Sequence, residues 1–220
     1  MDALAPGVQP KLATVRQSPI PLRRRRVLVD IARIISTVCN PFVTAIALYV
    51  ILAHASARDT HTFWTWLFLS TFFSSIGPML YVLWLYWTDR ISDLDMSQRH
   101  ERETVFSVFV ISYLVGTISL YLLHAPAILV ASMAGYTAAA FVVQTITRYW
   151  KISTHALGIT APLVALVVLY GQQPLPFAVL IPLVGWSRVY LKAHTTLQVI
   201  AGTLLGFISV YVFFRIFHVV

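Results

Sequence analysis

The sequence predicts an all-α fold, a polytopic transmembrane helical bundle of about six to seven spans, on three observations. Only 11% of its 220 residues are charged and 58% are hydrophobic, whereas soluble domains carry about 25% charged residues. Mean hydropathy is +0.77. Apolar runs of roughly 20 residues, the length that crosses a bilayer, recur along the chain between short gaps of Pro, Gly and charge. The net charge of +8 falls in those gaps and forms no broad soluble face, so it orients the chain in a membrane and predicts no nucleic-acid partner. Cys39 is the only cysteine, which rules out an intrachain disulfide and any zinc site needing two thiolates.

Residues 1–26 are mostly polar and end in Arg23-Arg24-Arg25-Arg26. With no apolar core ahead of the arginines they read as a disordered, basic, cytoplasmic tail that touches anionic headgroups, followed by one transmembrane domain over 27–220. Seven candidate spans come next. The first runs from about Arg33 to Ala55 with a kink at Asn40-Pro41, and the second from Phe63 to Trp87 with tryptophans at 64, 66, 84 and 87 for the membrane interfaces. Residues 88–103 are the most charged stretch and predict a short amphipathic loop helix near 90–103. The third span is Thr104 to Leu123 and the fourth about Pro126 to Thr147; the break Arg148-Tyr149-Trp150-Lys151 precedes the fifth, Ser153 to Tyr170. A Gly171-Gln172-Gln173-Pro174 turn leads to a short sixth span, about Leu175 to Ser187, holding Pro176 and Pro182. The seventh, about Thr195 to Phe217, carries Gly202 and Gly206 at a spacing that lets helices approach closely.

Against this apolar background, Ser187-Arg188-x5-His194-x3-Gln198 concentrates ionisable and amide groups at the start of a span. Such residues are costly in lipid and are functional candidates by default. The pattern resembles the third signature of the type 2 phosphatidic acid phosphatase family of integral-membrane lipid phosphate phosphatases. Lys151-Ile152-Ser153-Thr154-His155 is similar to the second signature, Pro-Ser-Gly-His, with Ile152 in place of proline and Thr154 in place of glycine. The first signature, Lys-x6-Arg-Pro, matches poorly: placing its arginine at Arg102 puts Asp95 at the lysine and Glu103 at the proline. The acidic, arginine-rich loop and the glutamine at 198 resemble a bacterial subgroup of the family, which implies a prokaryotic cell membrane.

The resemblance implies a phosphatase acting on a lipid phosphate or an isoprenoid (di)phosphate. His194 attacks phosphorus to form a phosphohistidine, and His155 protonates the leaving oxygen. Arg188 and Arg102 hold phosphate oxygens as bidentate forks, with Arg99 one helical turn from Arg102. Lys151 and Lys192 add point charges, and Ser153 and Thr154 offer donors at a helix start, an anion site in its own right. Phosphoryl transfer by this route is positioning and electrostatics, and requires no metal and no cofactor. Gln198 replaces the family's aspartate; it can fix the imidazole tautomer but supplies no counter-charge, so a differently tuned nucleophile, or lost activity, is expected. Three other readings remain: a phosphotransferase that passes the group to an alcohol, a magnesium-dependent prenyl diphosphate enzyme built on Asp89, Asp93 and Asp95, and a non-catalytic lipid-phosphate binder or transporter. Two spans separate Arg102 from Lys151 and two more separate Lys151 from His194, so all three clusters open on one side. That side holds every Lys and Arg except Arg58 and Arg215, and the positive-inside rule makes it cytoplasmic.

Overall fold

A computed structural model describes residues 22–94 and 99–220, and among these the chain is helical throughout with no strand. The helices are α1 (Leu22–Val38), α2 (Pro41–Ser56), α3 (Thr60–Thr71), α4 (Gly77–Trp87), α5 (Arg99–Leu122), α6 (Ala127–Thr147), α7 (Thr154–Tyr170), α8 (Leu180–Tyr190) and α9 (Thr196–Ile216). The protein is an all-α membrane bundle.

By length and composition four stretches can cross a membrane: Thr60–Trp87, Glu101–Leu122, Ala127–Thr147 and Thr196–Ile216. A fifth is available if α1 and α2, bent by 43°, count as one span. That is fewer than the six to seven expected. The predicted fifth and sixth spans are the apolar but shorter helices Thr154–Tyr170 and Leu175–Tyr190. Seventeen residues rise about 25 Å, less than the roughly 30 Å of hydrocarbon.

Two further expectations are corrected. The helix begins at Leu22, so Arg23–Arg26 lie in the first turns of α1 and not in a disordered tail; residues 1–21 lie outside the described residues. Residues 88–94 are turns and bends, and no separate loop helix stands among the described residues near 90–103. Residues 99–103 instead extend α5. There the Glu101 carboxylate reaches back and accepts from the Ser92 backbone N–H at 2.8 Å and its hydroxyl at 3.2 Å, tying the loop to the helix start.

Prolines shape the helices. At Asn40-Pro41 the chain bends because proline forces its predecessor out of the helical region; the Asn40 side chain then accepts from the Phe42 N–H and starts α2. Pro78 cannot donate to the preceding turn, and residues Phe72–Ile76 widen into a π-turn between α3 and α4. Inside α7, Pro162 leaves the Gly158 carbonyl without its intrahelical donor. Thr44 Oγ1 of α2 donates to that carbonyl at 2.8 Å, and Pro41 packs so close that a Cβ on Gly158 would lie 2.7 Å from it. Four helices end on a left-handed residue that is not glycine: Asp89, His124, Lys192 and His218. Each is followed by an amide that bonds back five residues, as Ala193 N–H does to the Arg188 carbonyl.

Packing sets α6 at the centre, against α5 and α9, with α7 along α9 and α1 along α8. Small residues make this possible: Gly135 of α6 faces the Ser209 backbone, and Gly202 and Gly206 of α9 face the carbonyls of Ser153 and Leu157. One apolar cluster, around Tyr49, Leu52, Met133 and Phe214, fills one half of the bundle. A second, around Val105, Phe106, Phe109, Val143 and Leu157, underlies the other half.

Candidate active site

Helices α5, α7 and α9 all begin at the same end of the bundle, and α8 finishes there. The positive ends of three helix dipoles therefore converge. Helices α5, α7 and α8 and the turn before α9 contribute polar groups to one cleft, about 890 Å³ counting its open mouth, whose lining includes Arg102, Thr154, His155, Arg188 and His194. The deeper wall is apolar and aromatic: Phe42, Phe106, Phe109, Tyr113 and Tyr136, with Ala139, Ala140 and Val143 between. The cleft is thus charged at one end and apolar along its wall.

Arg102 is buried and stands on the same face of α5 as Phe106, Phe109 and Tyr113, at helical spacing. Its guanidinium lies over the Phe106 ring at 5.8 Å. Phe106 meets Phe109 edge-on at 5.6 Å, Phe109 stacks on Tyr113 at 6.1 Å, and Tyr113 leads to Tyr136 at 6.1 Å. The arginine thus heads an aromatic ladder that runs down the cleft.

Arg188 sits in the last turn of α8, where a cation complements the helix dipole. Its Nη1 donates to Ser36 Oγ of α1 at 2.6 Å, and the neighbouring Ser187 hydroxyl donates to the Ala32 carbonyl at 2.7 Å. The Arg188 carbonyl accepts from both Ala193 N–H and His194 N–H. The turn that ends α8 therefore hangs His194 directly from the backbone of Arg188.

His194 is 6% exposed, and its Nδ1 lies 3.3 Å from Gln198 Oε1. The Thr195 backbone N–H, which can only donate, bonds the same Oε1 at 3.0 Å. That fixes the atom as oxygen, an acceptor, so Nδ1 must carry the proton and Nε2 keeps its lone pair. The ring's pKa is pushed down to about 3 by burial first, then by Lys151, Arg188 and Arg102, against a smaller upward pull from the Gln198 bond. At neutral pH His194 is an uncharged imidazole among cations.

His155, also 6% exposed, occupies the first turn of α7. The Ser153 N–H donates to the Gln198 carbonyl at 3.2 Å, and Gly202 admits the Ser153 carbonyl against α9, where a Cβ would collide with it. The starts of α7 and α9 are thereby bonded together, and the two histidines share one cleft.

Other predicted site residues stand apart. Ser153 is completely buried; its hydroxyl caps α7 by accepting from Ala156 N–H at 3.4 Å, and it does not line the cleft. Lys151 acts on His194 through its charge without lining the cleft, and Lys192 occupies the left-handed turn after α8, also outside the lining. The side chain of Arg99 lies outside the described residues. Asp95 does too, and among the described residues no three His, Cys, Asp or Glu side chains are grouped to hold a metal ion. Sequence reasoning missed Ser36 and the aromatic wall. The spacing 102, 106, 109, 113 was the available signal for the wall; nothing local marks Ser36. Compared with known proteins, the chain matches no family model, no curated protein and no solved structure.

Proposed function

We propose that the protein is a metal-independent membrane phosphatase that hydrolyses a lipid phosphate or an isoprenoid (di)phosphate through a phosphohistidine. The observation that carries this reading is a buried, neutral imidazole, His194, with Nε2 unprotonated, in one cleft with two arginines and a second histidine above an apolar wall. Arg188 and Arg102 take the phosphate oxygens, and the converging helix starts add to the field that favours an anion. His194 Nε2 forms a bond to phosphorus as the bond from phosphorus to the leaving oxygen breaks, and His155 gives that oxygen its proton. Water then attacks the phosphohistidine and returns a proton to His155. The N–P bond breaks and His194 regains its lone pair. The hydrocarbon tail lies along the Phe106–Phe109–Tyr113 wall.

Charge distribution supports a cytoplasmic mouth, because among the described residues only Arg58 and Arg215, of the lysines and arginines, fall at the opposite end. The test is phosphate release from a panel of diacyl and prenyl phosphates by the purified full chain. Release that persists in EDTA and drops by roughly 10⁴-fold in His194→Ala is expected. Turnover that needs magnesium, or that survives His194→Ala, would overturn the assignment. Label arriving on an added alcohol and not on water would make the enzyme a phosphotransferase.

A further inference from the structure

Helix α1 presents three different faces. Val27, Ile31, Ile34 and Val38, at helical spacing along one side, are each about half exposed. On a second side, buried Ala32 and Ser36 meet α8, and Ile35 and Cys39 pack near Ile159 and Val184. A third side carries exposed Arg26, Asp30, Arg33 and Thr37, with Arg25 completing a shallow basic groove. A helix immersed in hydrocarbon has no use for the third face, and a helix in water has none for the first. Both are satisfied at headgroup level, where an apolar stripe enters the acyl region and arginines meet anionic lipid. The 43° bend at Asn40-Pro41 turns α1 away from the axis of α2 at the wall of the cleft, where Asn40, Pro41 and Phe42 are lining residues.

The buried face connects this surface to the site. Ser36 Oγ accepts a hydrogen bond from Arg188 Nη1 at 2.6 Å, so one arm of the guanidinium fork is fixed by α1. A planar fork held at one nitrogen keeps its orientation toward a bound anion. We propose that α1 is a headgroup-level helix whose seating on an anionic bilayer surface holds Arg188 in its phosphate-binding orientation through Ser36, a positioning residue. This rests on the reading of Arg188 as a phosphate ligand.

The experiment measures binding of inorganic phosphate and orthovanadate to the full chain in nanodiscs of phosphatidylcholine, with and without phosphatidylglycerol. Ser36→Thr and Ser36→Val have nearly the same shape and differ in the hydroxyl. Thr is expected to bind like the parent and Val about tenfold more weakly, the scale of a hydrogen bond to a charged group. Parent affinity should fall in the neutral nanodiscs, and the double variant Arg26→Gln, Arg33→Gln should lose that dependence. Equal binding by Thr and Val, or indifference of the parent to lipid charge, overturns the inference. A parent that binds neither anion in either membrane fails the phosphatase reading instead, and the coupling to Arg188 falls with it. Seating is read separately by spin labels at Ile34→Cys and Thr37→Cys in a Cys39→Ala background. Position 34 should meet lipid-soluble oxygen and position 37 a water-soluble nickel chelate. Equal exposure of the two, or dipolar coupling between copies at position 34, overturns the headgroup seating in favour of a buried span or a self-associating face.

Discussion

In the proposed reaction His194 faces two demands that conflict: a nucleophile must stay unprotonated, yet the imidazole becomes cationic as it bonds to phosphorus. Burial and three nearby cations favour the neutral form and hold its pKa to about 3, while Gln198 provides orientation without charge. Gln198→Glu preserves the length and the helix cap but adds a carboxylate. The expected result is a higher His194 pKa, seen by NMR titration of the ring, and a faster first step. The same depression sets a stability trend. Above about pH 6.5 the ring is neutral whether the chain is folded or unfolded; as pH falls toward 3 the unfolded chain takes a proton that the folded ring refuses, so the protein loses stability across that window. His194→Gln should flatten this part of the pH–stability curve in detergent, and an unchanged slope would assign the effect to other groups. Among single residues, Arg188, His155 and His194 were legible because charge stands out in an apolar sequence. Ser36 was not, since a lone serine in a helix carries no pattern and its partner is 152 positions away.

At the scale of helices, glycine and proline decide which elements touch. Gly202 lets the α9 backbone lie against the Ser153 carbonyl, which aligns the starts of α7 and α9 and with them both histidines. Gly202→Ala should cost about 1–3 kcal/mol of stability through overpacking and reduce phosphate release more than that loss of fold explains, compared by thermal unfolding and assay on the same preparation. A release rate that tracks only the folded fraction would leave the contact with no role in alignment. The kink at Asn40-Pro41 and the close-packing glycines could be read from the chain, because both act locally. The contact made possible by Pro162 could not: the carbonyl it orphans is claimed by Thr44, 114 residues distant from Gly158. The loop helix expected near 90–103 does not stand among the described residues for a related reason. Glu101, which reads as a solvated partner of neighbouring charges, is instead buried and bonded across the loop to Ser92.

For the whole molecule, the even number of helices between successive polar clusters was enough to place them at one end, and the cleft unites residues from α5, α7, α8 and the turn before α9. Span number was less legible, since hydropathy measures apolar length and not how a short helix such as α7 is enclosed by its neighbours. If the cleft faces the cytoplasm, Tyr149→Cys, at an 80% exposed position at the site end, in a Cys39→Ala background should react with an impermeant maleimide only in inside-out vesicles. His124→Cys, at the other end, should react in right-side-out vesicles; the reverse pattern would turn the cleft outward. One consequence reaches across all three scales. Gln198 Oε1 is shared between the first amide ahead of α9 and the imidazole, so the knot that keeps the last helix from fraying also selects the ring's tautomer. If the proposed reaction holds, warming that loosens this knot is expected to scramble the proton's address on the ring before the bundle melts, so that chemistry stops while the fold still stands.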